Sequence, residues 1–305
     1  MARHQYGIFA EGTRSHHHLE FDLLPGADDD ALHAAIAAVR AANADHRTNG
    51  GTNLVLGFGA AVADRLGLAP VAPFPGYESP DGRHRAPATQ HDVWIWVHGP
   101  TPDVVVDVVR AVAAAMVPIA TVTLDLPAFV YHDSRDLTGF IDGSANPFLD
   151  EAPVVAVVPD GEPGEGGCLA MTMRFEHHLD RFDALEVADQ EAVFGRTKPD
   201  SVELEDKPAN AHIARVEVDG DDGEELKVYR RSVPWATATT QGLHFIAFGA
   251  DTDRFDLQLR HQYGLVDDGI TDRLLEFTTP HTGSFWRCPS VEELDRIAPL
   301  PDDDD

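Results

Sequence analysis

The sequence is poor in cysteine, lysine and long apolar runs, and each shortage excludes something. Two cysteines in 305 residues, Cys168 and Cys288, cannot staple a disulfide scaffold or build a cysteine-ligated zinc or iron–sulfur cage. No stretch approaches the roughly 20 uncharged apolar residues of a membrane-spanning helix. The opening residues, MARHQYGIFAEGTRSHHH, show neither an apolar signal core nor twin arginines, so a cytoplasmic protein is expected. Lysine occurs only at Lys198, Lys207 and Lys227. Lys plus Arg number 23 against 52 Asp plus Glu, a formal net charge of −29. That field repels phosphate backbones and anionic bilayers, so neither nucleic acid nor a membrane is an expected partner. The acid is spread over Asp28-Asp29-Asp30, residues 219–225 and the tail 302–305, a distribution suited to a salt-rich cytoplasm and a halophilic host. HExxH, a Walker loop, GxGxxG and GxSxG are all missing. Metalloprotease, nucleotide hydrolase, dinucleotide dehydrogenase and serine hydrolase therefore lack their local signatures.

What is present reads as strand and helix in a repeating order. Residues 18–24 alternate with Leu19, Phe21 and Leu23 on one face, which predicts a half-buried strand. Pro25-Gly26 breaks it, and the acids at 28–30 favour a helix start, followed by Leu32, Ala35, Ile36 and Val39 at helical spacing. A short strand at 54–58, a helix at 60–66 and a proline-studded loop at 69–91 follow. Residues 92–99 alternate again, a helix after Pro102 carries Val105, Val108, Val109, Val112 and Met116, and 121–131 closes the half as a strand. Strand–helix–strand–strand–helix–strand is the ferredoxin-like split unit. The second half repeats it less cleanly: strand 168–175, helix 178–193, strands 225–235 and 243–248, helix 253–263, strand 284–287. Leu56-Gly57-Phe58-Gly59-Ala60 echoes Ile246-Ala247-Phe248-Gly249-Ala250. The expectation is an α+β chain of two ferredoxin-like halves, 1–150 and 151–305, each with a four-stranded antiparallel sheet, joined near 150–165.

Single chemical features have ordinary explanations. With sixteen histidines, accidental clusters are common. His16-His17-His18 alternate faces of a strand and read as surface residues, as do His177-His178 at a helix start. Gly139-Phe140-Ile141-Asp142-Gly143-Ser144-Ala145-Asn146-Pro147 is a glycine-flanked acid in an apolar turn: an Asx-type turn, or an acid in a half-apolar pocket able to exchange protons. His212, among Asn210, Ala211, Ile213 and Ala214, is alone a structural histidine, and Arg230-Arg231 alone a surface pair. Gly195-Arg196-Thr197-Lys198 is a basic spot that suits a ligand's carboxylates or neighbouring acids.

Taken together and in order, GFIDGSANP, GGCLAMTMRFEHHLDRF, VFGRTKPD, AHIARVEV, YRRSVPW and LLEFTTPHTGSFW resemble the dye-decolourising peroxidase family, in its bacterial cytoplasmic form, over residues 6–292. The resemblance implies two ferredoxin-like halves, with haem b mainly in the second. It implies His212 as the iron's proximal ligand, Glu276 as the acid bonded to its second ring nitrogen, and Asp142 and Arg230 as distal residues. Arg196 would approach a haem propionate, and Ser232 stands where some relatives carry Asn. Arg231 has no assigned role. Trp94, Trp96, Tyr131, Tyr229, Trp235, Tyr263 and Trp286 are candidate surface relays, each by itself an ordinary core or strand-face aromatic.

Three functions are therefore open. The first is a haem peroxidase, reducing hydrogen peroxide and oxidising organic donors by one-electron steps. The second is a haem storage, delivery or iron-release protein; a distal acid–arginine pair argues against it, since storage needs only a ligand and a pocket. The third is a colourless ferredoxin-like binding module. A homo-oligomer is an expected partner arrangement, and the acidic tail offers no apolar peptide for docking into a protein shell.

Overall fold

The computed structural model describes residues 2–49, 51–220, 223 and 225–300. In the first half, β1 (Ser15–Leu23), α1 (Asp29–Asn49) and β2 (Asn53–Phe58) precede α2 (Ala60–Arg65) and a small hairpin, β3 (Tyr77–Glu78) with β4 (Arg85–Ala86). Then come β5 (Val93–Gly99), α3 (Pro102–Met116) and β6 (Ala120–Phe129). After α4 (Ala152–Ala156), the second half runs β7 (Cys168–His177), α5 (Leu179–Asp183), α6 (Val187–Phe194), α7 (His212–Val216), β8 (Tyr229–Arg230), β9 (Val233–Ala236), β10 (Gln241–Gly249), α8 (Asp253–Gln262), β11 (Thr278–Pro280), β12 (Ser284–Cys288) and α9 (Val291–Ile297).

Local chemistry explains most of these boundaries. Asp28 accepts a hydrogen bond from the Ala31 N–H at 2.8 Å, which caps α1. Pro102 sits in the first turn of α3, where its missing N–H costs nothing. Ser290 and Glu293 close a reciprocal capping box on α9. The helix expected over 178–193 is two helices, and α6 stops at Gly195, whose φ of +83° is left-handed. A Cβ there would meet Ile213 Cγ1 at 2.7 Å, so only glycine fits.

The first sheet has the order β6-β1-β5-β2 and the second β12-β7-β10, with β8 and β9 both on the far edge of β10. Each has the four-position order of a ferredoxin-like unit. The two meet edge to edge where Arg287 of β12 pairs with Phe58 of β2, so hydrogen bonding continues from one into the other. The glycine–phenylalanine echo is not a topological equivalence. It falls on the second strand position of the first half and the third of the second. The acidic stretch 219–225 lies only partly within the described residues, and the tail 302–305 lies outside them.

Both faces of the first sheet are covered, and this corrects the surface reading of the histidine run. Leu19 and Phe21 pack under α1 and α3 as expected. On the opposite face His16, His18 and Glu20 are also buried, beside Trp94, Trp96 and His98 of β5, because that face turns inward against the second sheet. Leu124, Leu126 and Ala128 of β6 close the same interior against Val233 and Trp235. A surface-relay role fails for Trp94, Trp96, Tyr229, Trp235, Tyr263 and Trp286, all of which are buried. Among the three histidines, His17 keeps contact with solvent, pairing with Asp125 at 2.6 Å. The two cysteines are cross-strand partners on β7 and β12, both free thiols, and burial pushes Cys168 up to about 12.

Candidate active site

Alternation along β7 and β10 divides the second sheet into two environments. Thr172, His244, Ile246 and Phe248 face the first sheet. Met171, Met173, Leu243 and Phe245 instead line a cavity on the other side, closed by Phe194 and Ile213. Its open space, mouth included, is about 1430 Å³.

His212 enters this cavity from the first turn of α7. Its Nδ1 lies 2.7 Å from Oδ2 of Asp272, a side chain only 1% exposed. Donation of the Nδ1 proton to that carboxylate leaves the second ring nitrogen with its lone pair, the form a metal ligand needs. The other carboxylate oxygen of Asp272 accepts the Leu274 N–H at 2.9 Å and caps the 3-10 turn Arg273–Glu276. The acid beside His212 is thus Asp272 and not Glu276. Glu276 ends the same turn four residues later and is exposed. The signal was present in the sequence, because Asp before a short helical turn is an N-cap pattern. Asp272→Ala is expected to lower the affinity of the His212 imidazole for a metal centre by about 10–100-fold, measured by titration of the protein. Unchanged affinity would remove Asp272 from the site.

The loop after β6 presents Asp142 to the same cavity, and strand β8 presents Arg230. Gly143, at φ +78°, lets the chain turn immediately after the acid. Burial pushes the Asp142 carboxyl up, and the nearby Arg230 charge partly offsets this. Arg230 is positioned through its backbone: Asn146 donates to its carbonyl at 2.8 Å and accepts its N–H at 3.0 Å. Its Nε has no hydrogen-bond partner among the described residues. Asp142 and Arg230 also border a second, outer cavity shared with His16, Arg231 and Ser232.

The remaining expected residues have more qualified settings. Arg196 lines the main cavity but pairs with Glu217 at 3.0 Å, so a ligand carboxylate there would compete with an existing partner. Ser232 borders only the outer cavity, where its hydroxyl accepts the Ile246 N–H at 3.4 Å at the break between β8 and β9. Arg231 turns to the interior, donates to the carbonyls of Ile8 and Ala10, and lies 5.2 Å over Trp96.

His177, expected at the surface, is buried in the cavity wall. Its Nε2 bonds Asp136 at 3.0 Å and its Nδ1 bonds Thr278 at 3.0 Å, tying the Asp142 loop to the second sheet. Burial raises the Asp136 carboxyl, but His177 and two Thr138 hydrogen bonds outweigh it and hold the group at about 2. Neither Asp272 nor this pair is recognisable from local sequence pairing, since their partners lie 60 and 41 residues away.

The N-terminal model of Dyp-type peroxidases matches residues 5–126, and the C-terminal model matches residues 133–293. The chain belongs to the Dyp-type peroxidase family. A dye-decolorizing peroxidase from Mycolicibacterium paratuberculosis is 35% identical over 254 residues, 81% of this chain and 72% of that protein. The one from Mycobacterium tuberculosis is 33% identical, covering 82% of this chain and 76% of its own. A Dyp-type peroxidase structure from Shewanella oneidensis superposes with a TM-score of 0.91 at 30% identity, covering 97% of this chain and 99% of the other. A DypB variant from Rhodococcus jostii RHA1 in complex with heme gives 0.88 at 28% identity over 96% and 97% of the two chains. The duplicated ferredoxin-like fold is therefore that of a haem-dependent family, and the chain is a haem peroxidase acting on hydrogen peroxide with organic reductants.

The residues present fit that cofactor. The cavity is lined by apolar side chains, by a carboxylate-oriented imidazole and by an arginine whose Nε has no partner among the described residues.

Proposed function

We propose that His212 would hold the iron of the haem and that Asp142 and Arg230 are the pair acting on hydrogen peroxide. The observation that carries this reading is one cavity holding an Asp272-oriented imidazole and, apart from it, an acid whose carboxyl burial pushes up beside an arginine. Bound there, haem supplies the redox-active iron. The chain's own groups supply the rest.

Asp142 holds and moves the proton. Peroxide must lose a proton from one oxygen and gain one on the oxygen that leaves, and a single carboxylate within reach of both can transfer it. The raised carboxyl brings its two protonation states closer in energy, and the Arg230 charge keeps the ionised form accessible. Arg230, fixed through its backbone by Asn146, directs a preorganised positive charge at the negative charge that grows as the O–O bond breaks. Asp272 keeps His212 in one tautomer and one orientation. Met171, Met173, Leu243 and Phe245 exclude water from the cavity wall. Arg196, released from Glu217, and Lys227 are the cations available to the haem's carboxylates.

Arg230→Leu tests the electrostatic role. It is expected to retain haem and slow the peroxide reaction by about a hundredfold or more, measured by stopped-flow absorbance. A wild-type rate would remove Arg230 from catalysis. Asp142 is then tested by the same measurement in Asp142→Asn.

The setting is part of the same proposal. A net charge of −29 with three lysines supports work in a salt-rich cytoplasm, where screening relieves self-repulsion. Oligomerisation through exposed apolar residues such as Phe148 and Val154 suits the family fold.

A further inference from the structure

The interior between the two sheets contains ionisable groups that the peroxide chemistry above does not use. Successive inward positions of β1 are His16, His18 and Glu20, spaced about 7 Å apart along the strand, and the half-exposed Asp22 follows beyond a register shift after Glu20. At one end the half-exposed His91 bonds Asp22 at 2.9 Å through Nδ1, and its Nε2 lies 3.9 Å from Glu20 Oε2. Glu20 is fully buried; Thr172 of β7 donates to its Oε1 at 3.4 Å, and Oε2 accepts no hydrogen bond from the described residues. Midway, His18 meets His244 of β10 with ring centroids 4.3 Å apart. None of their four ring nitrogens has a hydrogen-bond partner among the described residues. At the far end His16 accepts the Trp96 indole N–H at 3.2 Å on Nδ1, which places its own proton on the unpartnered Nε2. His16 borders the outer cavity shared by Asp142 and Arg230.

Buried polar atoms are almost always paired, by protein or by water. Among the described residues thirteen buried side-chain atoms lack a partner, and six of them fall on Glu20, His18, His244 and His16, whereas the adjacent strand β6 fills the same interior with Leu124, Leu126 and Ala128. A row built only for packing would repeat that choice.

We propose that Glu20, the His18–His244 pair and His16, bridged by buried water, carry protons from the Asp22–His91 surface to the distal cavity while an organic donor covers the cavity's mouth. The proposal rests on the peroxidase reading. Each turnover breaks the O–O bond of one peroxide and, with two electrons from two donor molecules and two protons, yields two waters; a phenol releases a proton with each electron, whereas a donor oxidised to a cation radical releases none, so with that donor both protons come through the protein. The outer cavity itself opens to solvent, but a bulky donor seated in it displaces that solvent, and the row then supplies the protons from behind.

The electrostatics suit this role. Burial lifts Glu20 to about 8, so at neutral pH it holds a proton it can pass on. Burial lowers His16 and His244 to about 3 and His18 well below its ordinary value, so they stay neutral. A neutral imidazole accepts on one nitrogen and donates from the other, so it passes a proton without holding a charge. The other polar groups facing the row are His98 and Trp94 of β5, Thr172 and Arg174 of β7, and Arg231; the two guanidiniums further disfavour imidazolium.

Glu20→Gln preserves size but cannot cycle a proton. In the haem-loaded protein, the donor-driven phase with a bulky tertiary aromatic amine, which gives up an electron and no proton, is expected to slow at least about tenfold, with a changed solvent deuterium isotope effect. The peroxide-driven phase, and the donor-driven phase with ferrocyanide, which leaves the mouth open, are expected to stay at the wild-type rate. A high-resolution crystal structure of the unaltered protein is expected to show ordered water between Glu20, His18 and His16. If Glu20→Gln fails to fold, His244→Leu interrupts the row at its middle and carries the same expectations. Wild-type rates with the amine, or a dry interior, would overturn the proposal. Loss of the peroxide response in the unaltered protein would instead overturn the reading beneath it.

Discussion

His212→Ala is expected to fold and to purify without bound haem, showing no Soret band even after reconstitution. The reason lies in which imidazoles the cavity offers. His212 is oriented by Asp272 through one nitrogen and keeps the other for a ligand. His177 also lines the cavity, but both its nitrogens are committed, one to Asp136 and one to Thr278, each at 3.0 Å. Substituting for His212 would require His177 to release the loop that carries Asp142. Among the described residues no group of three metal-binding side chains offers another site. The loss should therefore be nearly complete, and added imidazole should restore an axially ligated spectrum by occupying the vacated position. An unchanged histidine-ligated spectrum in His212→Ala would refute the assignment. The double variant with His177→Leu would then show whether His177 had taken over.

Acid is expected to unfold the protein well above the pH at which surface carboxylates alone would do so. His16 and His244 are lowered to about 3 by burial, and His18 and His98 lie well below their ordinary value for the same reason. In the unfolded chain they return to about 6.5. Below that pH the unfolded state binds protons that the folded state refuses, so stability falls as pH falls. A histidine held neutral contributes up to about 1.4 kcal/mol per pH unit, so His16 and His244 together cost roughly 3 kcal/mol between pH 6.5 and 5, and His18 and His98 act in the same direction. Glu20 runs the other way: raised to about 8, it contributes stability as pH drops towards its unfolded value, about 2 kcal/mol over that interval. Four histidines oppose one glutamic acid, so the net effect is a loss that deepens as pH falls, set against an ordinary domain stability of about 5–15 kcal/mol. Circular dichroism in concentrated salt should show cooperative unfolding between about pH 5 and 4. His98→Phe should move the midpoint lower if packing is kept. A protein still folded at pH 3 would show that these imidazoles are not held neutral.

The sequence by itself determined the alternating and helical segments, because period-2 and period-3.6 patterning is a local property. Leu19 and Phe21 on β1, and Val105, Val108, Val112 and Met116 on α3, are buried where their spacing placed them. It also carried the motifs that resemble the family, and these lead to His212, Asp142 and Arg230, which the fold brings to one cavity. Tertiary structure decided what those patterns left open. A strand shows two faces, and nothing local says whether the polar one meets water. The inward turn of His16, His18 and Glu20 follows from a second sheet whose edge strand joins the first at Arg287 and Phe58. Likewise, both Asp272 and Glu276 are acids near the same turn, and chain direction decides between them. Asp272 precedes the turn, where its carboxylate can cap the backbone and reach His212, while Glu276 leaves the turn towards solvent.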